Sequence, residues 1–302
     1  MAKIAIDVAR GGRVLQAQVH LATSIPREGN ADMSRQRQTE LAGIRGRIVL
    51  HEWPGERPRY TALIAHGYGE HAGRYVHVAE HLVRHGASVY APDHLGHGRS
   101  EGERALVERL DDLVEDLHTV ARTAQRDQPG RPVVLIGHSM GGLVATRYAQ
   151  LHGSELAALV LSGPAIGGNP ALEALLGMDP IPDLPIDPAV LSRDPAVGLA
   201  YAEDPLVFHG PFRRTTLAAL FAGIRAVAAG SRLGLLPTLW LHGEEDALVP
   251  LAEVRATMNL IRGERLESIV YPGARHEIFN ETNRGEVLAA VTSFVDRVLA
   301  RT

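Results

Sequence analysis

Gly137-His138-Ser139-Met140-Gly141 is the segment of this chain whose residue types and spacing point most directly to chemistry. The apolar run VVLI precedes it and GGLVATRYAQLH follows, so Ser139 stands at a tight turn from a strand into a helix. At such a turn the hydroxyl is pushed out at the sheet edge, and flanking glycines relieve the crowding. The N–H of Met140, at the start of the helix, can stabilise an oxyanion. A serine hydroxyl is a poor nucleophile at neutral pH and needs a histidine to take its proton. That histidine needs an acid to hold its tautomer and stabilise the imidazolium. After a serine of this kind the partners follow in the order acid, histidine, each from the loop after a later strand. Asp246 fits the first role, in the loop after TLWLHG, with Glu244 and Glu245 as alternatives in that loop. His276 fits the second, in PGARHE between the last predicted strand and the last helix. A second oxyanion donor is expected from a loop after an early strand, and TALIAHGYGEHAGRY supplies the N–H of Tyr68. Glu70 and Arg74 in the same loop either line the polar end of a pocket or pair with each other.

Positioning these residues requires a particular alternation of elements. Strands are predicted at 47–51, 60–66, 87–92, 133–137, 157–162, 238–242 and 267–271. Several are apolar on both faces, as central strands of a parallel sheet are. Between them lie helical patterns. Leu106, Leu110, Leu113, Leu117 and Val120 form one apolar stripe, and Val287, Val291, Phe294, Val295 and Val298 form another. Strands alternating with helices predict an α/β fold with a doubly wound, mostly parallel sheet. Residues 168–232 break the rhythm: they hold 8 of the chain's 18 prolines and, in their second half, an apolar helical run over 215–229. This reads as an inserted cap (168–236) between two parts of a core (34–167 and 237–302). Residues 1–33 read as an extension with one alternating strand candidate, Leu15 to Leu21, and a polar linker, SIPREGNADMSRQRQ.

The chain has 302 residues, a formal net charge of −4 and no cysteine. Zero cysteine excludes disulfides, thiolate metal sites and a cysteine nucleophile. The slight acidity argues against a nucleic-acid partner. Leu156 to Gly168, the longest apolar stretch, has 13 residues and is too short to cross a bilayer. Asp7 and Arg10 interrupt the N-terminal segment where an export signal needs an apolar run, so a cytoplasmic location is expected. His77, His81 and His85 fall at i, i+4, i+8 but read as a polar helix face rather than a metal site. No metal or cofactor is expected. In the cap helix, Leu217, Leu220, Phe221 and Ile224 recur at 3–4 spacing with Arg225 the one charge between Thr215 and Ala229. The plain expectation is cap packing on the core; the sharper one is a face that meets lipid surfaces and opens onto an acyl channel.

HGYGEHAGRY (66–75), DHLGHGRS (93–100), GHSMGG (137–142), LSRDPAVGLAYAEDPLV (191–207), LHGEEDALVP (241–250) and YPGARHEIFNE (271–281) together resemble the monoglyceride lipase branch of the α/β-hydrolases. The resemblance runs in order from about residue 40 to the C-terminus. It implies Ser139 as nucleophile, Asp246 as acid and His276 as base, with the Tyr68 and Met140 N–H groups as the oxyanion hole. It implies hydrolysis of a lipid or small ester, most specifically a monoacylglycerol. It also makes His94 and His97 part of an ordered turn rather than metal ligands. Tyr68 is bulkier than the small or aliphatic residue expected after His-Gly, so its ring is expected to narrow or reshape the pocket. The alternatives are a general carboxylesterase, a lysophospholipase, an aminopeptidase using acidic cap residues such as Glu173 and Asp179, or a non-catalytic ligand-binding protein of this fold.

Overall fold

Adjacent residues of a strand point to opposite faces of its sheet, and here that alternation sorts the core into two halves. In the computed structural model, which describes residues 36–184 and 186–301, eight strands form one sheet. They are β1 (Arg37–Ala42), β2 (Arg47–Trp53), β3 (Tyr60–Ala65), β4 (Ala87–Pro92), β5 (Val133–His138), β6 (Ala158–Ser162), β7 (Thr238–Gly243) and β8 (Leu266–Tyr271). Their spatial order is β1-β2-β4-β3-β5-β6-β7-β8. The β1–β2 and β2–β4 pairs are antiparallel, and every pairing from β4 onward is parallel.

Leu63, Leu135, Leu159 and Leu161 face one side, where they pack with α2 (Leu110–Asp127) and α3 (Met140–His152). Ala62, Ile64, Val134, Ile136 and Val160 face the other, against α1 (Val76–Arg84) and α8 (Arg284–Leu299). Both faces are covered, so β3 to β7 are buried along their whole length. This is why their sequences carry no polar alternation.

The predicted strands all form, with ends moved by one or two residues. One strand was not foreseen. β1 reads RQTELA, almost wholly exposed, and part of it lies in the stretch read as polar linker. An edge strand with solvent on both faces has no apolar signature to detect. Leu106 falls outside the helix predicted from its stripe; its N–H closes a turn onto the Glu103 carbonyl, and α2 begins at Leu110. The strand candidate at 15–21 lies outside the described residues.

Within the proline-rich segment, only short pieces are regular: α4 (Pro170–Ala174) and α5 (Pro195–Glu203), each with proline at its first turn, where a missing N–H costs nothing. They are followed by α6 (Arg214–Ala229). The helix α7 (Leu251–Ile261) follows β7. Because the sheet is parallel from β4 to β8, the carboxyl ends of β3, β5, β7 and β8 gather at one edge, where an open α/β sheet binds its ligands.

The central strands should dominate stability. Leu135→Ala, at a fully buried position of β5, is expected to cost about 2–5 kcal/mol in urea unfolding. Ile269→Ala, on the edge strand β8 and 37% exposed, should cost well under half as much. Equal losses at the two positions would contradict this division of the core.

Candidate active site

Ser139 links β5 to α3 with φ +52° and ψ −119°, a left-handed conformation that a side chain other than glycine's adopts only under strain. What enforces it is the closeness of α3 to the end of β3. A Cβ placed on Gly141 would lie 2.1 Å from the carbonyl oxygen of Ala65, so only glycine lets the helix start there. The Ser139 N–H donates to the Ser162 carbonyl at 3.0 Å, and its own carbonyl accepts from Leu143 and Ala165. Its main chain is thus committed, while its side chain faces a cavity. Met140 is the first residue of α3, so its N–H has no partner within the helix, and Met140 lines the same cavity.

His276 follows β8 and Asp246 follows β7, which are neighbouring strands. The Nδ1 of His276 lies 2.7 Å from Oδ2 of Asp246. Oδ1 of Asp246 accepts the N–H groups of Leu248 at 3.0 Å and Val249 at 2.8 Å, so the carboxylate is clamped in place. Burial by itself would raise the Asp246 pKa, but the facing His276 and His242 rings and the Val249 N–H bring it below the usual carboxylate value. Burial likewise would lower His276, but the Asp246 carboxylate outweighs it and holds His276 above the ordinary histidine value.

The two nearest histidines go the other way. His138, with its ring 4.8 Å from that of His276, is pushed down to about 4, first by burial and then by the charge of His276. His242 is lowered chiefly by burial; it accepts from Trp240 Nε1 at 3.2 Å and must therefore donate through Nε2 to the Val249 carbonyl. Only His276 of this group is arranged to gain a proton near neutral pH. Glu244 and Glu245, the alternatives to Asp246, are exposed; Glu244 accepts from the Gly273 N–H instead.

After β3 the chain runs His66-Gly67-Tyr68 beside Ser139. A Cβ on Gly67 would stand 3.2 Å from that of Ser139. His66 donates through Nδ1 to the Gly67 carbonyl and accepts at Nε2 from the His94 N–H. Oε1 of Glu70 accepts the Gly67 N–H and the Tyr75 hydroxyl, both at 2.6 Å. Glu70 and Arg74 pair with each other at 2.7 Å, and both line the cavity.

Glu277, which sequence reasoning passed over, completes the cluster. It takes both ends of the Arg74 guanidinium, at 2.7 and 2.8 Å. Burial would raise its carboxyl, but Arg74 brings it below the ordinary value. Its signal was present in the string His276-Glu277, an acid directly after the base. Elsewhere in this region, Asp93 organises the DHLGHGRS turn by accepting from the N–H groups of Ala72 and Arg99, both at 2.8 Å. His77 bonds the Phe279 carbonyl at 2.9 Å, and His85 lies past the end of α1.

The cavity encloses about 880 Å³ counting its open mouth, within the size range of small-molecule sites. Its lining includes a polar cluster, Glu70, Arg74 and Glu277, and an apolar set that takes in Leu143, Leu172 and the α6 residues Leu217, Leu220, Phe221 and Ile224. The α6 stripe therefore faces inward. The large apolar side chains of 168–236 most open to solvent are instead Leu235, Leu199, Leu184 and Met178. The Tyr68 ring stacks on Phe212 at 5.2 Å and meets Phe208 edge-on, so it forms part of the cavity wall. Glu173 and Asp179 lie outside the cavity, exposed and facing Arg225 and Arg214. Among the described residues no helix is long and apolar enough to cross a membrane.

Comparison with known proteins identifies the family. The family described as serine aminopeptidase S33 matches residues 56–283. A monoacylglycerol lipase of Mycolicibacterium smegmatis is 39% identical over 273 residues, covering 87% of this chain and 98% of that one. The human monoglyceride lipase is 33% identical, covering 85% and 89%. The crystal structure of a monoacylglycerol lipase from Paleococcus ferrophilus superposes with a TM-score of 0.72 at 26% identity, covering 84% of this chain and 99% of that one. The chain belongs to the serine aminopeptidase S33 family of α/β-hydrolases and, within it, to the monoglyceride lipase branch.

Proposed function

We propose that this protein hydrolyses carboxylic esters, with monoacylglycerols as its substrate class, through Ser139, His276 and Asp246. The observation that carries this reading is the lining of the cavity: Ser139 and His276 share it with a polar cluster, Glu70, Arg74 and Glu277, and with a larger set of apolar side chains from α6 and its surroundings. Such a cavity suits an ester with one long apolar chain and a small hydroxylated alcohol. Ser139 Oγ attacks the carbonyl carbon as His276 Nε2 takes its proton. Asp246 holds the opposite ring nitrogen and balances the imidazolium charge. The N–H groups of Tyr68 and Met140 receive the oxyanion, each worth about 2.7–4 kcal/mol. His276 then returns its proton to the departing alcohol, and a water activated by the same ring hydrolyses the acyl-enzyme. Leu217 and Phe221 would contact the acyl chain, and Glu70 and Arg74 the alcohol. Residues 168–236 would act as a cap, whose exposed Met178, Leu184 and Leu199 are suited to peripheral contact with a lipid surface.

An aminopeptidase reading is less well supported. A free carboxylate is needed to hold a substrate amine, and both carboxylates of the cavity already engage Arg74.

A fluorophosphonate probe should label the wild type and not Ser139→Ala; an unlabelled wild type would refute serine catalysis. In an ester panel, monoacylglycerols should be cleaved with higher kcat/KM than di- and triacylglycerols, lysophospholipids and aminoacyl amides. Triacylglycerol preference would refute the substrate class.

The pH dependence follows from His276, which must be neutral to act as base. Because its pKa is raised, kcat/KM should climb with pH through an apparent pKa above 6.5. Asp246→Asn removes the group that raises it. The acid limb should then move to lower pH while kcat falls about 10⁴-fold. An unmoved limb would mean that another group controls the profile.

A further inference from the structure

At the far end of α3 from Ser139, two helices and a turn bring together side chains that the ester chemistry does not use. His118 projects from the middle of α2, His152 is the last residue of α3, and Glu155 lies in the turn that leads to β6. Each offers one ligand atom, and the three atoms lie within 4.8 Å of one another. The two imidazole rings are stacked, 4.1 Å apart and 14° from parallel. Nδ1 of His118 is 3.6 Å from Oε2 of Glu155, and the Tyr148 hydroxyl braces that oxygen at 3.2 Å. Nε2 of His152 is buried and has no hydrogen-bond partner. Oε1 of Glu115 stands 3.9 Å from it.

A buried polar atom without a partner costs stability in the ordinary case. Here it lies within 4.8 Å of ligand atoms of His118 and Glu155 and 3.9 Å from Glu115, residue types that together form a donor set of the kind that binds metal ions.

We propose that His118, His152 and Glu155 bind one divalent transition-metal ion of the zinc, nickel or cobalt class, with Glu115 in reach as a fourth ligand. Two imidazoles with carboxylate select such ions over magnesium and calcium, which prefer all-oxygen sites. Around a tetrahedral ion with bonds near 2.1 Å, the ligand atoms stand about 3.4 Å apart. Binding one ion requires an imidazole to rotate out of the stack and His118 Nδ1 to leave the Tyr148 hydroxyl, 3.3 Å away, which side chains 20%, 22% and 33% exposed have room to do. The two carboxylates balance the ionic charge, and the site lies at the carboxyl end of α3, where the helix dipole favours a cation. The ion would clamp α2 and α3 to the turn before β6. Since 13 residues of helix separate it from Ser139, about 20 Å at 1.5 Å per residue, it acts on stability and not on the reacting atoms.

The test uses the full chain without an affinity tag, dialysed against EDTA. Titration with zinc or cobalt chloride should give one equivalent of binding, with a visible cobalt spectrum of a low-coordinate site. At an ion concentration 100 times the Kd, the melting temperature should rise by about 5–10 °C. Magnesium and calcium should not reproduce the rise. His118→Gln, His152→Gln and Glu155→Gln should each weaken binding at least tenfold, while His81→Gln leaves it intact. Glu155→Gln, at a part-exposed position, keeps the test open should a histidine variant fold poorly. Three results would overturn the proposal: no binding at millimolar ion, binding that survives both histidine substitutions, or binding lost only in His276→Gln, which would locate the ion in the cavity.

Discussion

The approach of α3 to the end of β3 is the constraint on which the rest of the site depends. With the Gly141 backbone pressed against the Ala65 carbonyl, the turn between β5 and α3 has no room to relax, and Ser139 is held at positive φ. The same closeness sets the helix N-terminus beside the loop that leaves β3, and Gly67 of that loop comes against Ser139. Strain at one residue is sustained because the buried strands on either side leave it no alternative.

Charge in this region is arranged in two sets that do not compete. Asp246 is satisfied on one oxygen by backbone and on the other by His276. Glu70 and Glu277 are satisfied by Arg74, Tyr75, Asn280 and the Gly67 N–H. A buried carboxylate without such partners would neutralise itself by taking a proton. Fully bonded, the Glu70 carboxylate instead fixes the loop that carries Tyr68. The polar cluster thus serves two ends: it forms one wall of the cavity and it holds the backbone beside Ser139.

The α/β-hydrolase fold was legible because buried parallel strands read as unbroken apolar runs, and because the motif around Ser139 states its own turn geometry. His276 and Asp246 were legible from their positions after particular strands. What escaped has physical causes. β1 carries no apolar face, so no periodicity marks it. Glu277 takes its meaning from Arg74, 203 positions away in sequence, and a long-range ion pair leaves no local trace. The apolar stripe of α6 was visible, but periodicity says only that a face is apolar. Packing decides that it is turned toward the cavity. The meeting of His118 with His152 escaped for the same reason as Glu277: the residues belong to different helices, and spacing along the chain does not connect them.

The segment between β6 and β7 is fastened to the rest of the molecule at several points near Ser139 and His276. Glu277 donates its N–H to the Leu191 carbonyl, Arg193 pairs with Glu281, Asp204 meets His71, and the Phe208 N–H bonds Gly69. α6 is fastened as well: the Thr216 hydroxyl accepts the Val107 N–H and donates to the Ala105 carbonyl, while Ala219 and Val227 pack into the core. One helix therefore both anchors this segment and lines the cavity. For an engineer this couples two properties: a substitution on α6 that reshapes the cavity also bears on what holds the helix to the core.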